Sequence, residues 1–408
     1  MTDKLLMVNS EVSHLLGDES QTKGLQSGAV AIFSIVSTML GSSVLAMPWG
    51  MQNSGFIYGW ILAIIIGSVC FYTCTLLGRH TKRHSDFADV LTLIYGPFAG
   101  RIAHISSALV VIGASISYCC ILSDDVASVY TAVLSFFKDE ESITSIRKIV
   151  PVFLLVILIP LACLRKVDLL VSISSYGIIS VCFVLFTVYF SSIKKGLDIV
   201  PGELIKPGPH VQNLAGLFMT AFFIHNLVTT IRSKQRFPQK MTRNLGIAYL
   251  IVGFCYVSVG SFGWLAYRKD GVILQNWLEI LEHSDPIAIA ARCLLIVQIL
   301  VVYPILVHLI RQAMFGLFKV KYPTSFNSFF VSLLVVCIGT SFAIWYPQIG
   351  DVLRYIGGFS GMLYIFGFPC MVHITIKRRQ KTCGFFTFVF HGGIICLGVV
   401  LFALQFFE

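Results

Sequence analysis

The sequence predicts an all-helical integral membrane protein with eleven transmembrane helices, of which the first and sixth are broken in mid-span. Of its 408 residues, 56% are hydrophobic and only 12% are charged, a composition foreign to soluble domains of this size. Apolar runs of at least 18 residues recur along the whole chain, and each can cross a hydrocarbon layer of about 30 Å. Two of the runs contain polar or helix-breaking residues at their centres. These observations favour a polytopic transporter rather than a simple helix bundle.

The chain divides into a polar tail, residues 1–27, and one transmembrane transporter domain, residues 28–408. Two inverted repeats of five helices each are expected at about 28–193 and 213–376, with one extra helix at 385–406. The predicted spans are 29–54, 57–78, 102–123, 149–164, 169–193, 213–232, 246–267, 286–313, 326–345, 350–376 and 385–406.

The first span is interrupted by Gly41, Ser42 and Ser43, and then by Pro48 and Gly50. In hydrocarbon every backbone polar group must find a partner, so a broken helix persists only beside protein or a watery cavity. Backbone N–H groups freed by such a break can bind a carboxylate, and freed carbonyls can bind a cation. The alternative is a packing notch, because small residues are common where membrane helices touch. This stretch alone leaves both interpretations open.

The sixth span carries His225 and Asn226 in mid-membrane, where polar side chains are costly unless they face a cavity. A histidine hydrogen-bonded between packed helices is the alternative interpretation. Spans one and six are the first helices of the two expected repeats. Two interrupted helices at matching positions indicate a binding site near the membrane midplane, between the repeats.

Orientation follows from the loops, because Lys and Arg concentrate in every second one, for example at 79–83, 232–243 and 377–381. The positive-inside rule then places the N-terminus in the cytosol. With eleven spans, Glu408 is expected on the lumenal side.

The tail contains Glu11 followed by Leu15 and Leu16, which has the form of an acidic dileucine sorting signal. Such a signal is an address that a receptor reads, here a sorting adaptor, and it does not anchor the chain. The pattern predicts a lysosomal or late endosomal membrane, with the plasma membrane as second choice.

Enzyme chemistry has no support in the sequence, which lacks an HExxH motif, a paired-cysteine motif and a nucleotide-binding loop. Eleven of the twelve cysteines lie in apolar segments, where they act as small apolar side chains rather than metal ligands. We therefore expect no enzyme and no cofactor. The only expected ions are a coupling Na⁺ or H⁺, and no other metal is expected. Nucleic acid is not an expected partner, because the basic residues lie in short loops between spans.

Four stretches together resemble a known family. The segment from Thr38 to Phe56 resembles the first helix of the amino acid/auxin permease superfamily. With the run from Phe222 to Asn226, the Tyr303-Pro304 pair and the segment from Trp345 to Tyr355, the chain is similar to the sodium-coupled neutral amino acid transporters. Within that family it is most similar to the lysosomal, arginine-sensing branch. The resemblance runs from about residue 28 to the end.

The resemblance implies a leucine-transporter-like fold that moves amino acids together with a cation. The substrate would then lie in the first break, at Thr38, Met39, Gly41, Ser42 and Ser43, and the cation between helices one and eight, at Ser37, Leu40 and Val301. The second break adds Phe222, Phe223, His225 and Asn226 to the predicted substrate residues.

The cation site departs from the family pattern. Ser37 stands where sodium-coupled members carry Asn, and Val301 stands where they carry a hydroxyl residue. Sodium needs oxygen ligands, so the backbone carbonyls of Ser37 and Leu40 would have to suffice. Proton coupling through His225 is the alternative, because histidine titrates near the pH of acidic organelles.

Two functions remain open from the sequence. The first is a cation-coupled secondary active transporter of amino acids across a lysosomal or endosomal membrane. The second is an amino-acid-binding receptor that signals as a nutrient sensor and transports little. The tail before the first span is shorter than in the arginine-sensing branch, where it contacts a signalling partner, and this favours the transporter.

Overall fold

The computed structural model describes residues 26–81, 87–135, 143–164, 170, 173–174, 176–318, 320 and 324–407. Glu11, Leu15, Leu16 and Glu408 lie outside the described residues. Helices dominate the described chain, and its single isolated β-bridge joins Gln26 to Gln235. This confirms the all-helical class. The membrane face where Gln26 lies is called the N-terminal face below, and the other is called the opposite face.

The described residues of the first half of the chain include seven helices. They are α1 (Gly28–Met39), α2 (Ser43–Ser54), α3 (Phe56–His80), α4 (Phe87–Tyr95), α5 (Pro97–Ser135), α6 (Ile143–Ala162) and α7 (Gly177–Lys195). The fifth predicted span is thus continuously helical from Gly177, and α4 is a short helix that the hydropathy pattern did not predict.

The second half contributes α8 (Val211–Ala221), α9 (Val228–Lys234), α10 (Met241–Tyr267), α11 (Pro286–Leu317), α12 (Ser325–Trp345), α13 (Ile349–Ser360), α14 (Phe368–Arg379) and α15 (Phe385–Ala403). A π-helical segment, Gly361–Gly367, joins α13 to α14, so the three form one span. Single-turn π segments in α-helices frequently mark functional sites.

Among the described residues, eight helices are long and apolar enough to cross a membrane, and the bent α1–α2 pair makes a ninth span. The other two predicted spans are helical as well. α6 has 20 residues, enough for about 30 Å, and α8 and α9 share the broken sixth span.

Burial separates the centre of the molecule from its rim. Ten of the 12 residues of α2 and eight of the 11 residues of α8 are buried, whereas only four of the 19 residues of α15 are buried. The core is therefore formed by α2, which follows the first break, and α8, which precedes the second. The remaining spans surround them.

The third span is longer than the predicted 102–123, because α5 continues to Ser135, and both Asp124 and Asp125 are buried. The residues after Asp125 contain neither glycine nor proline, so nothing ends the helix there. The paired acids consequently lie inside the fold.

Candidate functional site

The first break lies between Met39, the last residue of α1, and Ser43, the first residue of α2, and the two helix axes differ by 61°. Gly41 and Ser42 are poor helix formers, which lets the chain turn here. The Ser42 side chain makes no capping bond to α2. The N–H groups of Val44 and Leu45 donate to the Gly41 and Ser42 carbonyls at 3.2 Å, so an anion at this end of α2 would be bound by the N–H groups that precede them.

The second break runs from Phe222 to Leu227, between α8 and α9. Unlike the first, it is filled by large side chains. The Phe222 ring stacks on Phe218 and Tyr249 at centroid distances of 5.6 and 5.8 Å. Its carbonyl accepts a 2.9 Å hydrogen bond from the Tyr249 hydroxyl. Phe223 packs edge-on against Tyr364 of the π segment, 5.7 Å away.

Tyr256 of α10 joins the two breaks. Its hydroxyl contacts the Met39 carbonyl, where α1 ends, and the Ala221 carbonyl at 3.3 Å, where α8 ends. It also lies 3.1 Å from the Ser43 hydroxyl, at the start of α2. Tyr256 is fully buried. A single hydroxyl therefore contacts the backbone ends of both broken helices.

The space beside the first break is small in this conformation. A cavity of about 20 Å³ is lined by Gly41, Ser42, Tyr118 and Gln298 together with apolar side chains. That is room for about one water molecule, so an amino acid needs the site to open. A side chain at Gly41 would meet the Tyr118 hydroxyl at 3.2 Å. The Tyr118 hydroxyl thus lies directly beside Gly41 and limits the size of the cavity there.

His225 is buried and its Nε2 lies 3.0 Å from the hydroxyl of Thr73 in α3. Because Thr73 donates to the Val69 carbonyl at 2.9 Å, the histidine Nε2–H is the donor to Thr73. The other ring nitrogen, Nδ1, is buried without a hydrogen-bond partner among the described residues. It is therefore a free acceptor beside the second break. Asn226 is half-buried.

The remaining predicted residues are distributed unevenly. Thr38 is exposed and its hydroxyl donates to the Ser34 carbonyl at 2.7 Å, as the half-buried Ser37 hydroxyl does at 3.1 Å. Leu40 is buried in the break, and Val301 is half-buried on α11. The hydroxyls of Ser37 and Thr38 thus both donate to a carbonyl of their own helix.

The most informative site residue was not predicted. Tyr256 lies in an ordinary apolar span, and no breaker, charge or motif distinguishes it in the sequence. Tyr249, two turns earlier on α10, was missed for the same reason. A tyrosine in mid-span, with a hydroxyl that needs a partner, was the only available signal.

Comparison with known proteins identifies a family for this chain. The family model described as transmembrane amino acid transporter protein matches residues 26–407. A sodium-coupled neutral amino acid transporter 9 homolog from Caenorhabditis elegans is 28% identical over 94% of this chain and 74% of its own. The neutral amino acid transporter 9 of Danio rerio is 27% identical over 93% of this chain and 80% of its own.

Solved structures show the same fold at low identity. MhsT in complex with L-phenylalanine aligns with a TM-score of 0.60 at 10% identity, covering 95% of this chain and 99% of that one. A Na⁺-coupled sialic acid symporter aligns with a TM-score of 0.50 at 14% identity, covering 99% and 95%. At such identities the likeness concerns the fold alone.

Fold and site together define a multi-pass membrane transporter with a leucine-transporter-like fold, and not an enzyme. The chain belongs to the transmembrane amino acid transporter family. This confirms the resemblance found in its sequence.

Proposed function

We propose that the protein is a cation-coupled secondary active transporter of amino acids in a lysosomal or endosomal membrane. The observation that carries the proposal is the meeting of both helix breaks at Tyr256. Such a meeting gives one small region both unpaired backbone donors and backbone acceptors. These are the groups that an α-amino acid requires.

The chemistry of the two ends of the substrate fits the two sides of the first break. The carboxylate binds the N–H groups at Gly41, Ser42 and Ser43, which lie at the positive end of the α2 dipole. The ammonium replaces the Tyr256 hydroxyl at the carbonyls of Met39 and Ala221. Opening requires Tyr118 to leave Gly41, since the closed cavity holds about 20 Å³.

The coupling ion is a proton rather than sodium in this proposal. Ser37 already donates to its own helix, and Val301 offers no side-chain oxygen, so only backbone carbonyls remain for a hard cation. The unpartnered His225 Nδ1 can take a proton beside the second break. Protonation there adds a charge to a buried segment, which favours its rearrangement.

Uptake of labelled amino acids into proteoliposomes tests the function directly, at two pH values, with and without sodium. We expect uptake that depends on pH more strongly than on sodium. Uptake that saturates with sodium and ignores pH would reject the proton and leave the Ser37 and Leu40 carbonyls as the ion site. Substrate binding without uptake would reject transport and favour a receptor.

The location is proposed from the tail. Replacing Leu15 and Leu16 with alanine should move the protein from lysosomes to the cell surface, as seen by immunofluorescence beside a lysosomal marker. Lysosomal residence that persists in this variant would reject the sorting signal. A tag after Glu408, tested in selectively permeabilised cells, should be inaccessible from the cytosol.

A further inference from the structure

A second polar cavity lies at the opposite face, apart from the helix breaks. It has a volume of about 320 Å³ and lies between the late part of α5, the start of α6, the 271–285 segment, the end of α12 and the linker that follows α12. Small-molecule sites start at about 300 Å³, so the cavity is large enough for a free amino acid. Its polar lining consists of Asp124, Arg147, Lys148, Gln275, Asn276, Glu279 and Gln348.

Asn276 is the clearest sign that this cavity is built for a ligand. Its side chain is 97% buried, and neither the amide oxygen nor the amide nitrogen has a hydrogen-bond partner among the described residues. Buried amides are otherwise almost always hydrogen-bonded, because an unpaired one costs stability. An amide that faces a cavity offers one acceptor and two donors to whatever enters.

The charges in the same wall have a matching arrangement. Asp124 is buried beside the carboxyl group of Glu279, and its Oδ2 accepts no N–H or O–H hydrogen bond from the described residues. Arg147 holds Glu279 at 2.6 Å through Nη2, which leaves Arg147 Nε without a partner. The exposed Lys148 adds a second positive charge at the rim. The cavity therefore presents an acidic group, Asp124 beside Glu279, and two basic groups, Arg147 and Lys148, within one wall.

We propose that this cavity is an outer binding site for a zwitterionic α-amino acid. The ammonium binds Asp124 and the Asn276 amide oxygen, and the carboxylate binds the Asn276 amide nitrogen and Arg147. The site would collect substrate from, or release it to, the opposite face before or after the central site. The inference rests on the proposed transport function, since it assigns the same substrate class.

Counting binding sites tests the proposal in the detergent-purified full chain, with labelled L-alanine, L-glutamine and L-arginine titrated separately. At least one of them should bind at two sites per wild-type chain. Ser42→Trp blocks the central site and should leave one. Asn276→Leu removes the free amide at similar volume and should also leave one, and the double variant should leave none. Asn327→Leu, an exposed position on α12, is the matched control and should keep two.

A second variant keeps the test independent of folding. Asp124→Asn preserves shape and removes the charge, so in the Ser42→Trp background it should weaken binding about ten- to a hundredfold. Propionate and ethylamine, which each carry one of the two charged groups, should compete poorly.

One site in the wild type, or two in Asn276→Leu, would show that the cavity holds only water and would overturn the proposal. If the proposed transport function is wrong, the result differs. Proteoliposomes then show no uptake, while the binding measurement still finds the outer site.

Discussion

The two helix breaks solve the same problem in opposite ways. The first break, from Leu40 to Ser42, is short and made of small residues beside a cavity of about 20 Å³. The second, from Phe222 to Leu227, is twice as long and filled by side chains that stack on α8, α10 and the π segment. The first leaves backbone groups available, whereas the second covers them with rings.

This difference separates two tasks that a transporter must perform. A ligand site needs open backbone and little side-chain bulk, because only then can N–H groups reach a carboxylate. A moving element needs alternative packings with discrete contacts, because packed interfaces switch rather than deform gradually. We infer that the first break binds and the second break moves. Tyr256 contacts both breaks.

Filling the first break should have the largest effect. Ser42→Trp places a bulky ring in a buried position that lines the small cavity, so uptake into proteoliposomes should be abolished. Ser42→Ala is the matched control and should retain uptake, because the Ser42 side chain makes no capping bond. Size-exclusion chromatography checks that both variants fold. Wild-type uptake by Ser42→Trp would return Gly41 to Ser43 to the role of a packing notch.

Crowding the contact between α13 and α8, the helix that leads into the second break, should have the next largest effect. A β-carbon at Gly357 of α13 would lie 2.3 Å from the Gly216 carbonyl oxygen and 2.3 Å from the Thr220 hydroxyl, both on α8. Gly357→Ala should destabilise the protein by about 1–3 kcal/mol, measured as a lower thermal transition. Gly393→Ala on α15, where a β-carbon meets nothing within 4 Å, should not. Equal effects at both positions would contradict the close α8–α13 contact.

The sequence predicted the breaks but not what joins them. Gly41, Ser42 and the His225–Asn226 pair were visible because each violates the apolar pattern of a span. Gly357 lies so close to α8 that a β-carbon there would have no room. Tyr256 and Phe222 were different, because aromatic residues fit an apolar span wherever they point. Their roles arise from packing between helices far apart in sequence, which local pattern does not encode.

Removing the hydroxyl that joins the breaks should have a moderate effect. Tyr256→Phe leaves the Met39 and Ala221 carbonyls without this donor, and an unsatisfied buried group costs about 1–3 kcal/mol. Tyr249→Phe removes only the bond to Phe222 in the second break and is the comparison. Substrate affinity, measured by equilibrium binding, should change in Tyr256→Phe and stay near wild type in Tyr249→Phe. The same change in both would show that Tyr256 acts on the second break alone.

The smallest effect at neutral pH is expected at His225. Its Nε2 donates to Thr73, while the buried Nδ1 is free to take a proton. Glutamine at this position can still donate to Thr73 but cannot be protonated, so His225→Gln should preserve substrate binding and flatten the dependence of uptake on pH. Thr73→Val is the matched control, because it removes the hydrogen-bond partner and leaves the titrating ring. If Thr73→Val keeps the pH dependence and His225→Gln loses it, the proton resides on the imidazole. If both keep it, the second break moves without the histidine proton, and the coupling ion must be sought at the first break.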